Sequence, residues 1–177
     1  MANGCEEIEG LTVVDLLRRA GIEIDMLSIQ DGLNVRGSHG IAFEADQTIA
    51  RADLSSYDGI ILPGGMPGTN ALKADARVRD AVTRFYQAGK LVAAICAAPT
   101  VFGACGILNG KNAICYPGLE ENLTGANVIK QSVVIDGNII TSRGMGTAIP
   151  FGLAIIAYFL GQDQADAMAE KIVFQQD

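Results

Sequence analysis

The sequence predicts a three-layer α/β domain with a mostly parallel sheet, spanning residues 1–177 as one domain. Three observations predict it. Helical and strand-like periodicities alternate along the chain, the pattern of helices covering both faces of a sheet. The runs 58–62 and 91–95 are short and apolar and are followed by turn residues, which suits strands buried on both faces. A chain of 177 residues can bury a hydrophobic core without disulfide staples, and it shows no repeat, low-complexity segment or linker.

The elements follow in order. Asn3 with Glu6 three residues on suggests a capping box. Ile8, Leu11, Val14 and Leu17 then recur at helical spacing. Gly21 closes this helix as a left-handed cap, with Arg18 and Arg19 in the last turn. Residues 22–29 alternate apolar and polar side chains and read as a strand. Residues 34–45 carry two extended stretches around Gly37 and Gly40, a hairpin. The strand 58–62 ends in Pro63-Gly64-Gly65, a loop that lets backbone approach a ligand closely. Residues 76–88 place Val78, Val82 and Phe85 on one helical face, with Gly89 as the stop. The strand 91–95 runs into Cys96, and 100–105 reads as a helix with Pro99 in its first turn. Residues 113–116, 132–135 and 138–142 are further strands. Asp136-Gly137 between the last two is a strong hairpin signal. Helices follow at 146–160 and 164–173.

One feature departs from the class. An open α/β domain leads with a strand, yet the first helix here starts within a few residues of Met1. The chain reads as short by about one strand, or ~5–6 residues. A start placed too late, a trimmed chain and a sheet without a central strand all stay open. The last would deprive neighbouring strands of ladder partners.

Composition excludes several functions. The net charge is -7 and no Lys/Arg cluster stands out, so the footprint of a nucleic-acid binder is missing. The longest apolar stretch, 149–160, is too short to span a bilayer. The N-terminus has no signal-peptide pattern. The four cysteines form no Cys-x-x-Cys pair and His39 is the single histidine, which argues against zinc. No metal or organic cofactor is expected. The whole reads as a cytoplasmic protein with free thiols.

Cys96 is the candidate functional centre. A cysteine between a buried strand and a helix sits at the C-terminal edge of the sheet, where such folds place ligands. The turn has the logic of a nucleophile elbow. Helix N–H groups there are expected to depress the thiol pKa. Gly64-Gly65 should lie beside it, and the N–H groups of Gly65 and Ala97 suit an oxyanion hole. One carboxyl from Glu6, Glu7 or Glu9 would complete the site, and helical spacing does not decide which. The alternative reading of Cys96 is a small core residue, the role expected of Cys105 and Cys115. Glu6 and Glu7 are otherwise capping or surface charges, and His39 an exposed loop residue.

Five segments together resemble the DJ-one/ThiJ/PfpI superfamily, in its YajL-like and human DJ-one-like branch. They are Ala2-Asn-Gly-Cys-Glu-Glu-Ile-Glu9, Asp15-Leu-Leu-Arg-Arg-Ala-Gly21, Leu62-Pro-Gly-Gly65, Ala93-Ala-Ile-Cys-Ala-Ala-Pro-Thr100 and Thr141-Ser-Arg-Gly-Met-Gly-Thr147. The resemblance implies a flavodoxin-like fold and a homodimer. It places the reactive cysteine on Cys96, its protonated acid on Glu9 and the backbone donors on Gly65 and Ala97. The family's first strand precedes Ala2. Gly64, Tyr116, His39 and Arg19 are further pocket candidates. Tyr116 stands where some members carry a histidine, so a Cys–His dyad and peptidase activity are not expected. His39 matches a basic residue near the partner's pocket, and Arg19 and Arg143 match positions near the dimer interface.

The expected activity is cysteine-dependent detoxification of a small aldehyde or dicarbonyl, glyoxalase- or deglycase-like. The alternative is a redox sensor or chaperone whose Cys96 oxidises to a sulfinate without turnover. An inactive member is a third reading, because a missing strand would disturb the loop that carries Glu9.

Overall fold

The computed structural model describes residues 1–174. In chain order the elements are α1 (Glu7–Arg19), β1 (Leu27–Ser28), β2 (Asn34–Arg36), β3 (Ala42–Glu44), β4 (Gln47–Thr48), β5 (Gly59–Leu62), α2 (Gly68–Ala74), α3 (Ala76–Gln87), β6 (Leu91–Ile95), α4 (Pro99–Ala104), β7 (Asn112–Ala113), β8 (Asn127–Val128), β9 (Val133–Asp136), β10 (Ile139–Ser142), α5 (Ala148–Leu160) and α6 (Gln162–Lys171). The main sheet runs β5-β6-β10-β9, parallel except for the β9–β10 hairpin. Three two-stranded pairs surround it: β1 with β4, β2 with β3, and β7 with β8.

β6 explains the layering. All five of its residues are fully buried. Successive side chains point to opposite faces. Leu91, Ala93 and Ile95 join the core built with α1, α5 and α6. Val92 and Ala94 join the core built with α3 and α4. Helices therefore cover both faces, the arrangement that a short, wholly apolar strand requires. No helix among the described residues is long and apolar enough to cross a membrane.

Several boundaries differ from expectation. Asn3 does not cap α1; its Oδ1 accepts from Arg36 N at 2.9 Å. Glu6 is the N-cap instead, accepting from Glu9 N at 2.8 Å. The expected strand 22–29 is reduced to β1, because only Leu27 and Ser28 find partners in β4. The expected strand 113–116 is only the end of β7, and Cys115 and Tyr116 turn away toward Cys96. Residues 145–147 form a 3-10 turn before α5. α2 carries no apolar periodicity long enough to signal a helix.

The expected gap in the sheet is present. Among the described residues β5 pairs only with β6, and β1 only with β4. A cavity of about 1030 Å³ lies between β1 and β5.

Candidate active site

β6 delivers Cys96 to the edge of the sheet in a strained backbone, with φ 64°. A non-glycine residue in this region costs about 1–3 kcal/mol and persists only where its surroundings dictate it. Here they do. Cys96 N donates to Ser142 O at 2.9 Å, and Tyr116 N donates to Cys96 O at 2.8 Å. Ala98 N then turns back to Ile95 O at 3.0 Å. The side chain is half-buried, so the sulfur stays reachable.

The structure decides among the three glutamates. Glu9, 1% exposed, faces Cys96. Its Oε2 accepts from Gly64 N at 3.0 Å, while Oε1 is buried with no hydrogen-bond partner. An ionised carboxylate there would be poorly solvated. Burial accordingly raises the Glu9 pKa to about 7, with Glu6's charge adding to the push and the contacts to Cys96 and Gly64 N opposing it. Gly64 permits the approach. A Cβ at that position would lie 2.5 Å from Glu9 Oε2 and 2.6 Å from Cys96 Cβ.

The thiol pKa moves opposite to the expected direction. Burial first, and then the charge and hydrogen bond of Glu9, push Cys96 up to about 12. The N–H groups of Gly65 and Ala97 pull the other way, as backbone donors to the sulfur. Helix α4 has only six residues, so its dipole is too small to dominate. Thiolate and carboxylate disfavour each other, so the two side chains titrate as one coupled pair.

Glu6 and Glu7 have other tasks. Glu6 caps α1. Glu7, 2% exposed, locks the turn after β2: its Oε1 accepts from His39 N at 2.8 Å and Ile41 N at 3.4 Å. Its Oε2 lies 3.1 Å from His39 Nδ1 and 3.5 Å from Ser38 Oγ. Desolvation alone would raise Glu7, but these donors and its own backbone N–H outweigh it and hold the pKa at about 2. A depressed carboxyl adds stability above its unfolded value of 4.5, lost as pH falls toward 2. Glu7→Gln is therefore expected to lower stability at pH 7 by about 1–3 kcal/mol. It should also flatten the loss of stability between pH 4.5 and 2, as urea titrations at several pH values would report. Glu6, Glu7 and His39 bring ligand atoms within 4.8 Å of one another. Both Glu7 oxygens are already engaged by the turn, which accounts for the cluster without a metal.

His39 thus packs on Glu7, with its side chain 72% exposed. Tyr116 stands at the rim, 52% exposed, its ring 3.4 Å from where a Gly144 Cβ would be. Arg19 is not brought to the site. It pairs with Asp15 at 2.6 Å at the far end of α1, ten residues and about 15 Å from Glu9. Ser142, whose carbonyl holds Cys96 N, and Gly144, which lies beside Tyr116, had no signal in the sequence beyond the 141–147 segment. Cys5 and Cys115 are buried and Cys105 is half-buried.

The chain matches the model of the DJ-1/PfpI family over residues 1–158. It is 37% identical over 177 residues to protein DJ-1 homolog B of Arabidopsis thaliana, covering 99% of this chain but 40% of that relative's length. It is 28% identical over 144 residues to deglycase PH1704 of Pyrococcus horikoshii, covering 80% of this chain and 86% of that protein. Oxidized Toxoplasma gondii DJ-1 superposes with a TM-score of 0.95 at 34% identity, over 99% of this chain and 96% of the other. That likeness makes the fold flavodoxin-like. With nine-tenths of its residues inside the family match, the chain belongs to the DJ-1/PfpI family.

Proposed function

We propose that the protein is a cysteine-dependent enzyme that detoxifies small dicarbonyls such as methylglyoxal, glyoxalase- or deglycase-like, with Cys96 as nucleophile and Glu9 as proton carrier. The observation that carries this is the facing pair. A strained, reachable thiol lies against a buried carboxyl whose pKa of about 7 lets it give and take a proton near neutrality.

The chemistry balances with water as the only co-reactant. The Cys96 sulfur adds to the aldehyde carbon while Glu9 protonates the oxygen, giving a hemithioacetal. The N–H groups of Gly65 and Ala97 stabilise the charge that develops on that oxygen. The Glu9 carboxylate then removes the C–H proton from the former aldehyde carbon and returns a proton to the neighbouring carbon as its ketone is reduced. The internal transfer oxidises one carbon and reduces the other. Water hydrolyses the resulting thioester, releasing lactate and restoring the thiol. Release of an amine from an early glycation adduct would use the same thiol and acid. The name of the Pyrococcus relative supports that class of substrate.

A homodimer suits the site's surroundings. Ile8, next to Glu7 in the chain, and Ile41, whose N–H donates to Glu7 Oε1, are about half-exposed, apolar surface that a second copy would cover. A cytoplasmic setting suits four free thiols.

A redox role is the second reading, favoured by the unpartnered Glu9 Oε1 and the two backbone donors. Together they would hold a sulfinate at Cys96. One experiment separates the two. Purified protein is incubated with methylglyoxal and lactate is measured, and a second sample is treated with mild peroxide and mapped by mass spectrometry. Catalytic lactate supports the enzyme. No lactate, with two oxygens added at Cys96 before Cys5, Cys105 or Cys115, supports the sensor and overturns the enzyme.

A further inference from the structure

Glu9 divides its two oxygens between different tasks. Oε2 is held by Gly64 N, while Oε1 is buried without a partner. Around the point where a Gly144 Cβ would stand, the nearest atoms are Tyr116 Cδ2 at 3.4 Å, Tyr116 Cε2 at 3.7 Å and Glu9 Oε1 at 3.9 Å. Gly144 is therefore the bare floor of a narrow cleft. The edge of the Tyr116 ring stands on one side and the free carboxyl oxygen on the other. Backbone conformation does not require glycine there. Its φ of 164° and ψ of -170° are extended, open to any residue.

Both sides of the cleft hang on the Cys96 peptide. Cys96 N donates to Ser142 O at 2.9 Å, two residues before Gly144, and Tyr116 N donates to Cys96 O at 2.8 Å. The floor is pinned as well. Gly144 N donates to Thr147 Oγ1 at 3.2 Å, and Thr147 N donates to Gly144 O at 2.8 Å. Tyr116 O in turn accepts from Leu119 N at 3.1 Å. With its backbone held at both N–H and C=O, Tyr116 still leaves about half of its surface exposed. A tyrosine fixed in this way offers rigid, flat contact area at low entropic cost. Such rings pack favourably against other flat apolar groups.

We propose that Tyr116 is a specificity-determining residue of the site: its ring is the wall against which the group on the substrate's second carbonyl carbon packs, over Gly144, so that 2-oxoaldehydes with a flat apolar substituent are favoured over glyoxal itself. This rests on the dicarbonyl reading of the Cys96–Glu9 pair and names which members of that class the site takes. The sulfur holds the aldehyde carbon, and Glu9 Oε1 faces the two reacting carbons. The substituent is then left to extend toward the ring. The ring supplies the contact, and the hydroxyl is not needed for it.

The test measures kcat/KM for phenylglyoxal and for glyoxal, from the mandelate and glycolate formed, in wild type, Tyr116→Phe, Tyr116→Ala and Gly144→Ala. Alongside, alkylation of Cys96 by iodoacetanilide and by iodoacetamide is followed by mass spectrometry in the same four proteins. Tyr116→Ala is expected to lower both ratios, phenylglyoxal over glyoxal and iodoacetanilide over iodoacetamide, by about 10-fold. Tyr116→Phe should keep both within about twofold. Gly144→Ala raises the floor between the ring and Oε1 and should lower both by about 10-fold or more. Thermal unfolding should place each variant within about 3 °C of wild type, because Tyr116 is half-exposed and the added Cβ meets only ordinary contacts. Ratios unchanged in Tyr116→Ala, or lost equally in Tyr116→Phe, would overturn the wall. A Gly144→Ala chain that unfolds, or one that keeps both ratios, would overturn the seat over Gly144. A wild type that converts neither dicarbonyl, with an alkylation ratio that falls in Tyr116→Ala and holds in Tyr116→Phe, would overturn the dicarbonyl reading while supporting the ring as the wall of the Cys96 site.

Discussion

Cys96→Ser is expected to lower the conversion of methylglyoxal to lactate by about 10³-fold or more. The substitution removes one property and keeps the rest. Serine is close in size, so the turn held by Ser142 O and Tyr116 N should keep its shape. A hydroxyl is a far weaker acid than a thiol, and Glu9, with a pKa of about 7, is a poor base toward it. The thioester that the proposed internal transfer would leave also has no equally labile counterpart in an ester. Stability should change by less than about 1.5 kcal/mol, because volume is nearly conserved at a half-buried position. Lactate production with coupled detection gives the activity, and urea unfolding gives the stability. A loss of both together would point to a structural cysteine, the core reading that the sequence left open.

Glu9→Gln should separate activity from stability in opposite directions. Glutamine keeps the shape and the acceptor for Gly64 N but carries no exchangeable acid proton. Turnover should fall by about 10²–10⁴-fold. The stability effect follows from the raised pKa. Glu9 is ionised above about 4.5 in the unfolded chain but holds its proton to about 7 when folded. The folded state therefore binds more protons in that window, and Glu9's contribution, complete below pH 4.5, is lost as pH rises through 7. At pH 8 the folded protein keeps a buried carboxylate at a cost of about 3 kcal/mol. Glu9→Gln removes that cost and should be more stable than wild type at pH 8, with the difference shrinking toward pH 4.5. Such a trade is common where a site is built on a strained or desolvated group.

Much of the frame was legible because it rests on local patterns. β6 is an unbroken apolar run, and its fully buried residues divide between the two cores as a parallel strand requires. The Asp136-Gly137 turn joins β9 and β10 in the antiparallel register its chemistry favours. α1 and α3 showed themselves by helical spacing. The strand-to-helix turn at Cys96 and the neighbouring Gly64-Gly65 loop followed from where β5 and β6 end.

What stayed hidden depends on distant groups. Glu6, Glu7 and Glu9 share a helix start, and only the placement of the His39 turn and the Gly64 loop assigns one to capping, one to a lock and one to Cys96. The thiol pKa was read from the helix N-terminus, yet burial and Glu9 outweigh a six-residue helix. Arg19 was drawn in by resemblance, although ten residues of helix carry it away from Glu9. β4, β7 and β8 are two-residue strands, too short for any periodicity. The strand expected over 22–29 shrank for a tertiary reason: its other edge faces the cavity between β1 and β5 rather than a paired strand.

The central claim is that Cys96 and Glu9 share one proton. The most direct measurement is the rate of Cys96 alkylation by iodoacetamide from pH 5 to 10, followed by mass spectrometry in wild type and Glu9→Gln. In wild type the rate should rise through about pH 7, as the pair releases its first proton, and then level off. In Glu9→Gln the step near pH 7 should vanish, leaving a single rise at the more alkaline pH set by burial of the thiol. Superimposable profiles in the two proteins would contradict the account.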